Sequence, residues 1–110
     1  MLTSPRLQQI EDLLAIDPDD EFLRYAQAME FTSLGDDAAA VERLRALIAL
    51  NPAAPYIPAF LMSGQALLRV DREAEAVEIL RIGIAAAAKA GTPDAIHARG
   101  EMQSLLESIE

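Results

Sequence analysis

The hexapeptide LLAIDP at residues 13–18 returns in similar form as LIALNP at residues 47–52. In both copies a run of aliphatic residues ends in an acidic or amide residue followed by proline, and the two prolines are 34 residues apart. A period of about 20–50 residues is typical of arrays of small supersecondary units that stack on one another. The pattern therefore predicts a repeat architecture.

A second set of positions repeats at a slightly longer distance. Small and apolar residues recur at a constant offset of 36: Ala28, Phe31, Ala40 and Leu44 correspond to Gly64, Leu67, Ala76 and Leu80. Two residues have thus been inserted between the units. We place them within residues 53–56, because two extra residues inside a helix would rotate its apolar face by about 200°.

The small residues within each unit have a physical reason. Ala28 and Ala40 lie 12 residues apart across a predicted turn, and so do Gly64 and Ala76. Two antiparallel helices approach closely at such a point only if both side chains are small. We therefore expect each pair to mark the contact between the two helices of a unit.

Together these intervals resemble those of the tetratricopeptide-repeat family, in a small bacterial-type form. The first unit matches at Ala28, Phe31, Ala40, Leu44 and Pro52, and the second at Phe60, Gly64, Leu67, Ala76 and Leu80. The second unit has no closing proline, so its second helix is expected to continue through residues 85–88.

The sequence predicts an all-α fold, a solenoid of about six antiparallel helices in one domain of residues 1–110. Its units are an N-terminal half-repeat (4–18), two full repeats (19–54 and 55–91) and a C-terminal capping helix (92–110). Capping residues and prolines predict where the helices begin: at Ser4, Asp19 or Asp20, Asp36 or Asp37, Ile57 or Pro58, near Asp71, and at Thr92. In the first helix Leu7, Ile10, Leu13 and Leu14 are expected to fall on a single face.

Composition excludes several classes of function. The 110 residues fit a single domain, and a formal charge of −9 disfavours nucleic acids and anionic membranes as partners. Without cysteine the chain forms no disulfide and no thiolate site. No apolar run approaches the roughly 20 residues of a membrane span, so we expect a cytoplasmic protein.

Candidate catalytic and metal-binding residues are sparse. His97 is the only histidine, and the acidic string of residues 17–21 lacks the glycine and distant glutamate of a calcium loop. Helix capping explains that string more simply. We therefore expect a protein that is not an enzyme and that needs no metal or cofactor.

The resemblance implies that the first helix of each pair lines a concave surface that holds a partner protein or peptide. On this chain the implied positions are Phe22, Tyr25, Met29, Leu61, Gln65, Arg69 and His97. Aromatic and methionine side chains at such spacing suit an adaptor, scaffold or co-chaperone that binds an apolar helix or extended segment. Two alternatives stay open: these side chains pack within the protein, or they pair two copies in a homodimer.

Overall fold

The computed structural model describes residues 3–110. Within that range the chain forms six α-helices and no strand, which confirms the all-α prediction. The helices are α1 (Pro5–Ile16), α2 (Glu21–Ser33), α3 (Asp37–Leu50), α4 (Pro58–Arg69), α5 (Glu73–Ala90) and α6 (Pro93–Ile109).

Four helices begin at a side chain that caps the first turn. In each case a hydroxyl or carboxylate oxygen accepts a hydrogen bond from the backbone N–H three residues further on, which satisfies a donor that the helix itself leaves unpaired. The capping residues are the predicted Ser4, Asp20, Asp36 and Thr92, with donor to acceptor distances of 2.9 to 3.2 Å. Asp20 thus has a structural role, as the capping interpretation of the acidic string required.

The start of α5 differs slightly from the prediction near Asp71. The helix begins at Glu73, and Arg72 precedes it without a side-chain capping bond. Asp71 adopts a left-handed backbone (φ 58°) and closes α4, while the N–H of Arg72 donates to the carbonyl of Leu67 at 2.9 Å. Asp71 is therefore occupied by the end of one helix and does not cap the next.

The same turn occurs one unit earlier, where α2 ends. Gly35 has φ 79°, and the N–H of Asp36 donates to the carbonyl of Phe31 at 2.9 Å. Gly35 and Asp71 are 36 residues apart, the offset found in the sequence. Both helices thus end with a left-handed residue and a bond that reaches back five residues, the geometry known for helix C-termini.

Successive helices pack in series. Each helix contacts the next one along the chain, and α4 also contacts α6. An ion pair joins Arg45 of α3 to Glu75 of α5 at 3.0 Å, while Glu21 of α2 and Asp94 of α6 line one small pocket. The odd-numbered helices therefore lie on one side of the molecule and the even-numbered helices on the other.

The small residues are buried as expected, but their contacts differ from the predicted ones. Ala28 belongs to a buried cluster with Leu44, and a Cβ added at Gly64 would lie 2.7 Å from a methyl carbon of Leu80. The contacting residues in both pairs are 16 positions apart in the sequence, whereas we predicted contacts between residues 12 apart. The small residue in the first helix of each unit therefore makes room for a leucine of the second helix, one turn beyond the predicted alanine.

Helix α1 is only half covered. Leu7 and Ile10 are buried, but Leu13 is 51% exposed and Ile16 is 83% exposed. The predicted face is therefore buried only in the first part of the helix, where α1 packs against α2 and Leu7 also contacts the cluster of Ala40 from α3, while the last turn is exposed.

Candidate partner-binding surface

Helix α2 presents three of the predicted residues at spacings of three and seven. Phe22 is 70% exposed, whereas Tyr25 and Met29 are half-buried. Tyr25 packs beside the buried cluster around Ala28 and Leu44, and its ring centroid lies 5.2 Å from that of Tyr56 at an angle of 44°. Phe22 is thus open to solvent, while Tyr25 also serves the core.

Helix α4 contributes residues that are shared between surface and core. Leu61 is half-buried against the cluster of Phe60 and Leu80, and Gln65 is half-buried one turn further on. Arg69 is exposed, and its guanidinium pairs with the carboxylate of Asp37 at 3.0 Å. The C-terminal end of α4 is therefore polar.

His97 lies on the outer face of α6. Its side chain is 80% exposed, and its Nε2 atom lies 3.2 Å from a carboxylate oxygen of Glu101. Within residues 3–110 no group of three histidine, aspartate or glutamate side chains is arranged to hold a metal ion. The structure thus assigns His97 a solvent-facing position beside one carboxylate.

The seven predicted residues do not form one continuous cluster. Tyr25 and Leu61 pack against two different parts of the core, around Ala28 and around Phe60. All seven residues lie on the side of the molecule formed by α2, α4 and α6, which we call the even-helix surface.

Tyr56 is a member of this surface that the sequence did not single out. It lies in the segment between α3 and α4, inside the region where we placed the two-residue insertion. With Glu21 and Asp94 it lines a pocket of about 230 Å³ between the start of α2 and the start of α6. The two-residue insertion was the only sequence feature that pointed to Tyr56. Spacing alone does not show on which side of the molecule an inserted side chain lies.

Burial raises the pKa of both tyrosines above their ordinary value of 10.0. The neighbouring Tyr56 adds to the effect at Tyr25, and the carboxylates of Glu21 and Asp20 add to it at Tyr56. Both causes act in the same direction, because burial and nearby negative charge each disfavour a phenolate.

This shift predicts alkaline sensitivity. The folded state favours the neutral phenols, so their contribution to stability is complete below pH 10.0 and is lost as the pH rises through the higher folded pKa values. We expect the free energy of unfolding to fall above about pH 10 in urea denaturation, and to fall less in a Tyr25→Phe, Tyr56→Phe double variant. The chain has two tyrosines and no tryptophan, so phenolate absorbance reports these two groups alone. Titration of both at their ordinary pKa would contradict the prediction.

No described helix combines the length and the apolar character needed to cross a bilayer. The chain matches no protein-family model, no curated protein and no solved structure. Over residues 3–110 the class that the structure defines is an all-α protein of six helices packed in a repeat-like series.

Proposed function

We propose that the protein is a tetratricopeptide-type interaction module, located in the cytoplasm, that binds a peptide or helix of another protein on the even-helix surface. The observation that carries the proposal is the exposure of Phe22, which leaves 70% of a large aromatic side chain in water. Tyr25 and Met29 extend the same stripe of α2. In this proposal the chain is not an enzyme.

The chemistry of this stripe suits a protein partner. Phenylalanine and tyrosine bury a large area at little cost in side-chain entropy, and methionine adapts to irregular shapes. Residues of this kind commonly supply most of the free energy at the centre of an interface. A framework of packed helices also holds them in place before the partner arrives, which reduces the ordering cost of binding.

The margins of the even-helix surface are charged. Asp20, Glu21 and Asp94 lie at the helix starts, and Arg69 lies at the end of α4. Two of these carboxylates, on Glu21 and Asp94, face one small pocket. A segment with apolar side chains in its middle and a basic residue at one end fits this distribution best.

Site-specific crosslinking tests the proposal. A photoreactive phenylalanine analogue at position 22 is expected to capture a partner from the native lysate, whereas the same analogue at position 85 should not. Ala85 is a suitable control because it is exposed on α5, on the other side of the molecule and away from α1.

Binding of the captured partner to purified protein gives the quantitative test. Phe22→Ala is expected to weaken it by more than about tenfold, the effect of losing an aromatic anchor. Ile16→Ala should leave the affinity unchanged. Equal effects of the two substitutions, or capture from both positions, would overturn the proposal.

A second candidate function is structural self-association through α1. Leu13 and Ile16 stand three residues apart in the last turn of α1 and form an apolar pair that is 51% and 83% exposed. Two copies that bury this pair across a two-fold axis would form a dimer. Sedimentation velocity distinguishes the two functions, because a dimer that Ile16→Asp dissociates supports self-association, and a monomer at all concentrations excludes it.

A further inference from the structure

A pocket lies on the side of the molecule opposite the even-helix surface, between α3 and α5. It has a volume of about 460 Å³. Ile48 and Ala49 form one wall, Ile82 and Ala86 form the other, and Phe60 lines it from α4. Pockets that hold small molecules commonly measure about 300–1,000 Å³ and are mainly apolar.

Both departures from the repeat pattern contribute to this pocket. Residues 53–55, where we place the insertion, line one end of it. At the other end lie Lys89 and Ala90, in the last turn of α5, which has 18 residues where α3 has 14. The pocket is therefore a local addition to the repeat and does not follow from stacking alone.

The charge at the pocket has one sign. Lys89 is the only ionisable residue among those that line it, although the chain carries 18 acidic residues. Lys89 is also the only lysine, and within residues 3–110 it takes part in no ion pair. An apolar pocket with one ammonium at its rim is complementary to an apolar ligand with one negative charge.

The size of the pocket favours a small molecule over a protein. Twelve residues line it, and a standard protein interface uses roughly 20–30 residues from each partner. One ammonium group balances the single charge of a carboxylate, whereas it would leave one charge of a phosphate dianion unpaired beside an apolar pocket.

We propose that this pocket binds a free medium-chain aliphatic carboxylate. The alkyl chain lies between Ile48 of α3 and Ile82 of α5, and the carboxylate pairs with the ammonium of Lys89. The proposal is independent of the partner-binding function, because it uses other residues on the other side of the molecule.

Calorimetric titration with decanoate tests the proposal, and amide chemical shifts locate the ligand. We expect saturable binding at one site, with shifts concentrated in residues 48–60 and 82–90. Affinity should rise about twofold to fourfold per methylene from hexanoate to decanoate, since each buried methylene adds to the transfer free energy. Decanol should bind more weakly than decanoate, and decyltrimethylammonium more weakly still.

Variants separate the pocket from non-specific adsorption. Lys89→Gln is expected to weaken decanoate binding by about fivefold while leaving decanol unaffected. Ala49→Phe and Ala90→Phe add bulk from exposed positions at the pocket and should each reduce binding by more than about tenfold. The matched controls are Arg6→Gln and Ala85→Phe, which alter exposed residues outside the pocket and should bind as wild type does.

Three results with the wild-type protein would overturn the proposal. They are the absence of saturable decanoate binding, equal affinity for the three decyl probes, and chemical shift changes centred on α2. Full binding by the folded Ala49→Phe and Ala90→Phe variants would also overturn it. In these variants the introduced phenylalanine occupies the pocket, so the ligand would have to bind elsewhere.

Discussion

Phe60→Ala is expected to destabilise the protein by about 3–5 kcal/mol, out of a total of about 5–15 kcal/mol for a domain of this kind. Phe60 is 1% exposed and belongs to the buried cluster with Leu80 and Met102. It thereby links α4 to both α5 and α6. Its removal would leave a cavity that these three helices cannot collapse without losing their other contacts.

Phe22→Ala is the matched control for this prediction. The substitution is chemically identical, but Phe22 is 70% exposed, so we expect a change within about 0.5 kcal/mol. Urea denaturation followed by circular dichroism measures both variants. Similar losses for the two variants would show that Phe22 is buried and would remove the basis of the proposed partner-binding surface.

The sequence predicts the helix starts well because they depend on neighbouring residues. Ser4, Asp20, Asp36 and Thr92 each cap a helix through a bond to the backbone three residues away. Such bonds need no other part of the fold, so short-range patterns are sufficient to find them.

Less could be predicted where a residue has two possible local roles or where burial depends on how far a neighbouring helix extends. Asp71 suits both a helix cap and a left-handed turn, and the end of α4 decides between them. Leu13 lies on the same face as the buried Leu7 and Ile10, but it is in the last turn of α1, which the neighbouring helices leave exposed. Spacing gives the face of a helix and does not say how far the next helix extends over it.

The candidate binding residues were predicted less completely than the fold. The resemblance to tetratricopeptide repeats implied Phe22, which is exposed, but it grouped Phe22 with Tyr25 and Leu61, which are half-buried against the core. Neither Tyr56 nor the pocket beside Lys89 was predicted as a site, although the insertion and the longer fifth helix were both visible. The longer interval between repeats shows that residues were inserted. It does not show whether they enclose a pocket, because that depends on how several helices pack around them.

Glycines in the interior of helices give the last prediction, because Gly83 and Gly100 have opposite surroundings. A Cβ added at Gly83 would lie 2.5 Å from the Cβ of Phe60 and 2.7 Å from the sulfur of Met102, whereas one added at Gly100 would meet nothing within 4 Å. The first of these clashes involves an atom bonded directly to the backbone of α4, so relief requires the helices to separate.

Gly83→Ala is therefore expected to destabilise the protein by about 1–3 kcal/mol, although alanine favours helix more than glycine by about 1 kcal/mol. At Gly100 the helical preference acts alone, and Gly100→Ala should stabilise the protein by about 0.5–1 kcal/mol. Thermal and urea denaturation of the two variants measure these effects. Stabilisation by both substitutions would show that α4, α5 and α6 do not meet closely at Gly83, and opposite signs would establish that contact as the reason for a glycine in the middle of the longest helix.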